Sequence, residues 1–108
     1  MLFKSYTYHD MYQDMYFEWD DKKNLLNILK HGISFEKARD VFLDPNVVYI
    51  EDALHSKIEK RYYALGLIDG EVLTVRFTQR GKNIRIFGAG RWRRGTKRYY
   101  EEQKSNLH

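Results

Sequence analysis

The clearest alternation of apolar and polar residues in the chain lies at positions 71–80. Leu73, Val75 and Phe77 alternate there with polar side chains, which predicts a strand with one face in the core and one in solvent. An Asp-Gly pair at 69–70 precedes this strand, and such a pair is a strong signal for a two-residue hairpin turn. The sequence therefore predicts a β-hairpin in the second half of the chain.

Further strands are predicted on both sides of this turn, at 15–19, 47–50, 61–68 and 83–89. If Gly81-Lys82 forms the loop before the last of them, Thr78 lies opposite Arg85 and the apolar residues of both strands share one side. A slip by one residue would place Arg85 in the core, which a half-buried sheet resists. This register gathers Arg76, Arg80 and Arg85 on one exposed face.

An apolar stripe at helical spacing predicts the first helix, over residues 21–31. Asp20 is a good N-cap, and Gly32 is a natural residue for the helix end because it accepts a positive φ. The stripe consists of Leu25, Leu26 and Leu29, flanked by Ile28. We therefore expect the leucine side of this helix to face the core.

A second helix is predicted directly after the first. Ser34 caps it, apolar residues repeat at helical spacing from Phe35 to Phe42, and Asp44-Pro45 ends it. The two helices are expected to pack as an N-terminal helical hairpin. A last helix is predicted over 96–104.

The leading residues, 1–14, show no clear period. They are interpreted as an N-terminal extension, either an alternative start, a mobile arm or a subfamily addition, with a strand over 2–6 as the other interpretation. Residues 15–104 are predicted to form a single domain, and 105–108 a tail. A chain of 108 residues is large enough for one core but not for two.

Composition narrows the classes of function. The chain contains no cysteine, which excludes thiolate nucleophiles and disulfide scaffolds. No apolar run reaches the roughly 18 residues of a membrane span, and the leading residues are too polar for a signal peptide, so the cytoplasm is expected. The net charge of +4 suggests a polyanionic partner. The segment 76–98 holds many Lys and Arg residues and no acid, so the positive potential belongs to the C-terminal third.

Three guanidinium groups on a rigid sheet suit phosphate binding. Each planar fork donates two parallel hydrogen bonds, and the group stays charged near neutral pH. The competing interpretation is a solvated sheet face whose arginines pair with acids such as Glu71.

Short motifs follow one another along the chain in a recognisable order and spacing. They are Phe17-Glu18-Trp19-Asp20, Lys30-His31-Gly32, Ile33-Ser34-Phe35, Asp44-Pro45, Asp52, His55-Ser56, Glu59, Arg61, Thr78, Arg80-Gly81 and Arg85-Ile86. This arrangement resembles the BrnT family, toxins of type II toxin-antitoxin systems, over about residues 16–102.

The resemblance implies an α+β, RelE-like fold with an N-terminal helical hairpin, a mostly antiparallel twisted sheet of about four strands and a C-terminal helix. It also implies translation inhibition by metal-independent endoribonucleolytic cleavage of RNA, free or on the ribosome, with no cofactor. The implied partner is a BrnA-like ribbon-helix-helix antitoxin in a two-plus-two complex, which contacts DNA only through the antitoxin. The other interpretation is a catalytically degenerate module that binds RNA or antitoxin with the same fold.

Cleavage by a 2′-hydroxyl needs a base, an acid and donors that hold the phosphorane. Arg80 and Arg85 are candidate donors, and Arg61 joins them because it matches the family's arginine after the His-Ser loop. The candidate for proton transfer is His55, whose imidazole could titrate near physiological pH. Alternatives are His31, Tyr100 and Glu59. His31 and His55 lack the spacing of metal ligands, so no metal site is predicted.

Candidates for RNA binding are Arg76, Arg91, Trp92, Arg94, Arg98 and Tyr100. Trp92 lies among cations, where an unpaired base could stack on it, although packing of the last helix is the alternative. Trp19 is expected to be a core residue. In many family members an arginine directly follows the alanine that corresponds to Ala89, whereas in this chain Gly90 separates Ala89 from Arg91. Either a bulge at one of the neighbouring glycines restores the direction of Arg91, or this variant does not use it.

Overall fold

Residues 3–9 and 14–106, with the side chains of 15–106, are described by a computed structural model. The strands are β1 (Phe3–His9), β2 (Asp14–Asp20), β3 (Val48–Glu51), β4 (Arg61–Ile68), β5 (Glu71–Arg80) and β6 (Asn83–Gly90). The helices are α1 (Asp21–His31), α2 (Phe35–Ala38) and α3 (Arg93–Ser105). The predicted extension and tail lie partly outside these residues. None of the described helices is long and apolar enough to cross a membrane.

The strands form one sheet in the order β1-β2-β6-β5-β4-β3. All neighbours are antiparallel except β2 and β6, which run parallel. The predicted α+β class, the mostly antiparallel sheet and the C-terminal helix are therefore confirmed. The expected count of about four strands is wrong, because six strands pair among the residues that the structure describes. Among them is β1, which pairs with β2 along its whole length, so the strand interpretation of the leading residues is the one observed.

The predicted bounds of α1 are confirmed, but its orientation is opposite to the expected one. Leu25, Leu26 and Leu29 are 58%, 53% and 78% exposed, whereas Asn27 is buried. The leucine stripe therefore faces solvent, and the helix docks on the sheet through polar side chains.

Hydrogen bonds explain this inverted packing. β2 pairs with β6 only over residues 83–85, so the edge of β6 beyond them needs another partner. Asn27 supplies it: its Nδ2 donates to the carbonyl of Ala89 at 2.9 Å and to that of Ile33 at 2.8 Å, and its Oδ1 accepts the N–H of Ala89. A side-chain amide carries both a donor and an acceptor, so it can replace a strand at this point.

The predicted N-terminal helical hairpin is wrong in two respects. A β-hairpin precedes α1, and the second helix is a single α-turn that tightens into a 3₁₀ segment, Arg39–Leu43. α1 packs on β2 and β6, whereas the 3₁₀ segment packs on β4. Gly66 of β4 accounts for this contact, because a Cβ there would lie 2.7 Å from Val41 Cγ1 and 2.9 Å from its carbonyl oxygen. The 3₁₀ segment thus lies flat on β4.

The helix ends follow the sequence signals. Asp20 accepts the N–H of Lys22 at 2.8 Å, and Ser34 accepts that of Lys37 at 3.0 Å. Gly32 has φ 67 and donates its N–H to Ile28. These contacts satisfy backbone groups that a helix end leaves without partners.

The two faces of the sheet carry separate cores. The larger lies under α2 and the 3₁₀ segment and includes Trp19, which is fully buried and edge-on to Phe35, as expected for a core residue. The smaller consists of Leu65, Val72 and Tyr99 beneath α3. α3 begins at residue 93, earlier than predicted. Gly95 in its first turn lies against the sheet, where a side chain would clash with Thr74.

Candidate active site

A row of paired residues crosses the part of the sheet that α3 leaves uncovered. Arg61 of β4 lies opposite Thr78 of β5. Thr78 lies opposite Arg85 of β6, and Arg85 lies opposite Glu18 of β2. This is the register of β5 and β6 that the sequence predicts, and it places the arginines on one face.

Three arginines line one open cavity of about 230 Å³, namely Arg61, Arg80 and Arg85. The other lining residues are Asp20, Lys23, Glu59, Ile86 and Phe87. The structure thus brings together the three side chains that the sequence analysis puts forward as phosphate donors. The cavity also includes Glu59, one of the alternatives for proton transfer, together with Asp20 and Lys23, which were not predicted to lie there.

Carboxylates contact each of these guanidinium groups. Arg80 donates to Glu59 at 2.9 Å, and Glu59 also pairs with Arg61 at 3.5 Å. The hydrogen bond from Arg80, together with the charges of both arginines, holds the pKa of Glu59 below its ordinary value. Arg85 pairs with Glu18 at 3.7 Å and is the least exposed of the three, at 17% against 49% for Arg80.

β6 has one residue more than the part of β5 that faces it, and the extra residue is Phe87. Ile86 pairs with Phe77, but Gly88 pairs with Arg76, so Phe87 forms a β-bulge. One of the two alternatives from the sequence was a bulge at a neighbouring glycine; the bulge in the structure is at Phe87 instead. It places Gly88 opposite Arg76, so that Gly88 lies on the same face of the sheet as the arginines.

The bulge residue also supports two cations. The guanidinium of Arg61 lies over the ring of Phe87, 4.5 Å from its centre, and the Lys23 ammonium lies 5.4 Å from it. Attraction between a cation and the ring face is worth about 0.5–1 kcal/mol at exposed sites. Phe87 therefore helps to hold positive groups at the cavity.

His55 lies beside the arginine cavity and is oriented by a carboxylate. Its Nδ1 is 2.8 Å from Oδ2 of Asp52, and it lines a neighbouring cavity that also includes Glu59 and Arg61. Burial raises the pKa of Asp52, but the hydrogen bonds and charge of His55 and the hydroxyl of Tyr63 outweigh it and hold the pKa below its ordinary value. Burial and Asp52 in turn raise the pKa of Tyr63. The carboxylate of Asp52 thus bonds to both the imidazole of His55 and the hydroxyl of Tyr63.

Trp92 stands between two further cavities. Its ring is 5.5 Å from that of Tyr63, with an interplanar angle of 33°. One cavity, of about 320 Å³, is lined by Asn27, His31, Tyr63, Thr74, Arg76, Ala89, Gly90 and Trp92. The other, of about 410 Å³, is lined by Ile50, Tyr63, Trp92, Arg94, Lys97, Arg98 and Glu101. Three candidate RNA-binding residues, Arg76, Arg94 and Arg98, therefore adjoin the aromatic pair that the fourth, Trp92, forms with Tyr63.

Two candidates lie apart from this pair. Tyr100 is half-exposed on α3 and packs edge-on to Tyr99, and it does not line either cavity. Arg91 is held by Glu71, at 2.8 and 3.0 Å, and donates to the carbonyl of His31 at 2.9 Å. The guanidinium of Arg91 thus fastens the end of α1 to the start of β5.

Asp52, Tyr63 and Lys23 were not predicted as parts of a site. Asp52 lies three residues before His55, a spacing visible in the sequence, but Tyr63 joins it only through the pairing of β3 with β4. Lys23 reaches the arginines only because α1 turns its polar side inward.

Comparison with known proteins identifies the family of the chain. The family model described as the ribonuclease toxin BrnT of type II toxin-antitoxin systems matches residues 19–95, a span that includes all three arginines, His55 and Trp92. No curated protein matches the sequence. The match covers well over half of the chain and confirms the resemblance stated above, so the protein belongs to the BrnT family of ribonuclease toxins.

Proposed function

We propose that the protein inhibits translation by cutting RNA endonucleolytically without a metal ion, with Arg61, Arg80 and Arg85 holding the phosphate at the cleaved bond. The observation that carries this proposal is the single cavity that all three guanidinium groups line. Charge that builds up on the phosphorane oxygens is stabilised most by donors already fixed in place. Three arginines on adjacent strands of one sheet meet that condition.

Exchange of partners makes the arginines available to RNA. The pairs that Glu59 forms with Arg80 and Arg61 are partly exposed, and exposed ion pairs of this kind contribute at most about 1 kcal/mol. A phosphate carries a similar charge and fits the same planar fork. It can therefore replace the Glu59 carboxylate at little cost.

His55 is assigned to proton transfer. In the reaction, the 2′-oxygen loses its proton and bonds to phosphorus, and the bond from phosphorus to the 5′-oxygen breaks as that oxygen gains a proton. The product is a 2′,3′-cyclic phosphate and a 5′-hydroxyl. An imidazole held through Nδ1 by Asp52 keeps Nε2 for one of these transfers. Of the alternatives, Glu59 borders the same cavity as His55, whereas Tyr100 does not.

The aromatic pair of Trp92 and Tyr63 extends the substrate path. A base stacked on Trp92 gains about 1–3 kcal/mol, and Arg76, Arg94 and Arg98 would neutralise neighbouring phosphates. Arg91 and Tyr100, which lie apart, would contribute at the margin of this path. In this family the inhibitor is a protein antitoxin, and we propose a BrnA-like ribbon-helix-helix protein in a two-plus-two complex that alone contacts operator DNA.

A cleavage assay tests the proposal. The chain is purified with its antitoxin, separated from it, and added to end-labelled RNA with EDTA and, in parallel, to a translation extract. We expect cleavage and loss of translation, and we expect R80A and R85A to reduce cleavage at least a hundredfold. K37A is the matched control, because it also removes one positive charge, but from α2 on the opposite face of the sheet.

Three results would overturn the proposal. They are cleavage that EDTA abolishes, product ends other than a cyclic phosphate and a 5′-hydroxyl, and equal loss of activity in K37A. A wild-type chain that binds RNA without cutting it would support the degenerate binding module instead.

A further inference from the structure

The outer side of α1 is a continuous aliphatic surface that is exposed to solvent. We name Leu25, Leu26, Ile28 and Leu29 the leucine face; they are between 41% and 78% exposed. At 100° per residue these four positions form one continuous side of the helix. Contiguous apolar surface of this kind marks an interaction site more often than it serves folding.

The stability of the domain does not explain the leucine face. α1 is fixed by Asn27, whose amide bonds to Ala89 and Ile33, and by Asn24, which accepts the N–H of Phe35 at 2.9 Å. These contacts lie on the opposite side of the helix. The four aliphatic side chains are thus exposed over 41–78% of their surface, away from the contacts that fix the helix.

The charge around the face indicates the partner. Lys22 and Lys30 on the same helix are exposed, and the whole chain has a net charge of +4. Two copies meeting through this face would bring like charges together, which disfavours such a contact. An acidic partner with an apolar side fits both the leucines and the lysines.

We propose that the leucine face is the docking site for the antitoxin, through an acidic amphipathic segment whose apolar side covers Leu25 and Leu29. Such a segment would lie across the helix from the arginine cavity, which Lys23 lines from the inner side of α1. A helix is about 10 Å wide, so a few further residues of the antitoxin would reach the cavity entrance. An antitoxin bound in this way would recognise the toxin through the leucine face and also keep RNA out of the arginine cavity. The inference rests on membership of the BrnT family and does not require the proposed mechanism of cleavage.

The test measures binding and cleavage separately on the full chain. The probe is the product of the small reading frame adjacent to this gene. Calorimetry compares its affinity for wild type, for the double variant L25Q/L29Q and for L67Q, where Leu67 is an equally aliphatic, exposed residue on distant β4. Glutamine keeps helix propensity, and far-ultraviolet circular dichroism with thermal melting confirms that each variant folds.

We expect L25Q/L29Q to raise the dissociation constant of the antitoxin at least tenfold, and L67Q to change it less than twofold. Cleavage by partner-free L25Q/L29Q should equal that of wild type, while more antitoxin is needed to inhibit it. Unchanged affinity in L25Q/L29Q would overturn the proposal, as would a wild-type dimer that this double substitution dissociates. Because the affinity for the antitoxin is measured without RNA, this binding experiment still tests the docking site even if the proposed cleavage mechanism is wrong.

Discussion

Arg76 and Gly88 face each other across β5 and β6, and the guanidinium of Arg76 occupies the space where residue 88 would carry a Cβ. An ideal Cβ at that position would lie 2.5 Å from Nη2 of Arg76 and 3.1 Å from its Nε. Glycine at this position gives room to a side chain and does not serve a turn, since its φ is not positive. The bulge at Phe87 creates this pairing.

The variant G88A should displace Arg76 from its place beside the cavity of Trp92. The clashing atoms are the far end of a flexible side chain, so the free energy of unfolding should change by less than about 1 kcal/mol. RNA affinity should fall about as much as it does in R76A, and the double variant should show no further loss. Fluorescence anisotropy with a short labelled RNA measures this. Full wild-type affinity in G88A together with a loss in R76A would contradict it.

The orientation of α1 gives a second prediction, about stability. In N27L, the N–H and carbonyl of Ala89 and the carbonyl of Ile33 would lose the amide that satisfies them. Each buried group left without a partner costs about 1–3 kcal/mol, so we expect a loss of about 3 kcal/mol or more in urea unfolding. L26Q on the exposed side should cost less than about 0.5 kcal/mol. The opposite ranking would mean that the leucines do pack in the core.

These two sites show where a sequence suffices and where it does not. The alternation of apolar residues in β5 and the adjoining short turn fixed the register, because a slip would have buried Arg85. The direction of α1 could not be found in the same way. An apolar stripe shows that a helix has an apolar side, but the need for Asn27 arises from Ala89, 62 positions away, at a strand edge that only the assembled sheet creates.

The residues of the candidate site also fall into two groups: those that the sequence could predict and those that depend on how the elements pack together. Arg80 and Arg85 followed from strand alternation, Arg61 from the family resemblance, and His55 from the chemistry of an imidazole in a polar loop. Lys23 and Tyr63 were missed because their places depend on how α1 docks and on how β3 pairs with β4. A bulge at glycine, the usual signal, was only one of two alternatives, and the extra residue is Phe87.

Asp52 offers a third prediction, as a positioning residue. D52N replaces the carboxylate that holds Nδ1 of His55 and accepts from Tyr63, so the imidazole should lose its fixed direction. Misplaced proton transfer lowers kcat rather than substrate affinity. We therefore expect kcat to fall about 10- to 100-fold with KM changed less than threefold, measured by steady-state cleavage of a fluorogenic RNA. A rise in KM with unchanged kcat would instead assign Asp52 a role in binding.

Glu59 gives a fourth prediction, on the pH dependence of stability. The pKa of Glu59 is lowered in the folded chain, so its ion pairs stabilise the fold above its unfolded pKa of 4.5. That contribution is lost as the pH falls through the lower folded value. Because the pairs are partly exposed, the free energy of unfolding of wild type should exceed that of E59Q by less than about 1 kcal/mol at pH 7. Urea unfolding at pH 7, 5 and 3 should show this difference shrinking toward zero at the lowest pH.

The same substitution should strengthen RNA binding. In wild type, Glu59 occupies the forks of Arg80 and Arg61, and a phosphate must displace it before it gains their charge. E59Q removes that competition, so we expect affinity for single-stranded RNA to rise about two- to fivefold at low salt. The logarithmic salt slope should steepen by up to about 0.7, the value for one further phosphate neutralised on a single strand. E18Q is the matched comparison, since Glu18 pairs with the more buried Arg85. A loss of affinity in E59Q would show that Glu59 orients the arginines for phosphate rather than competing with it.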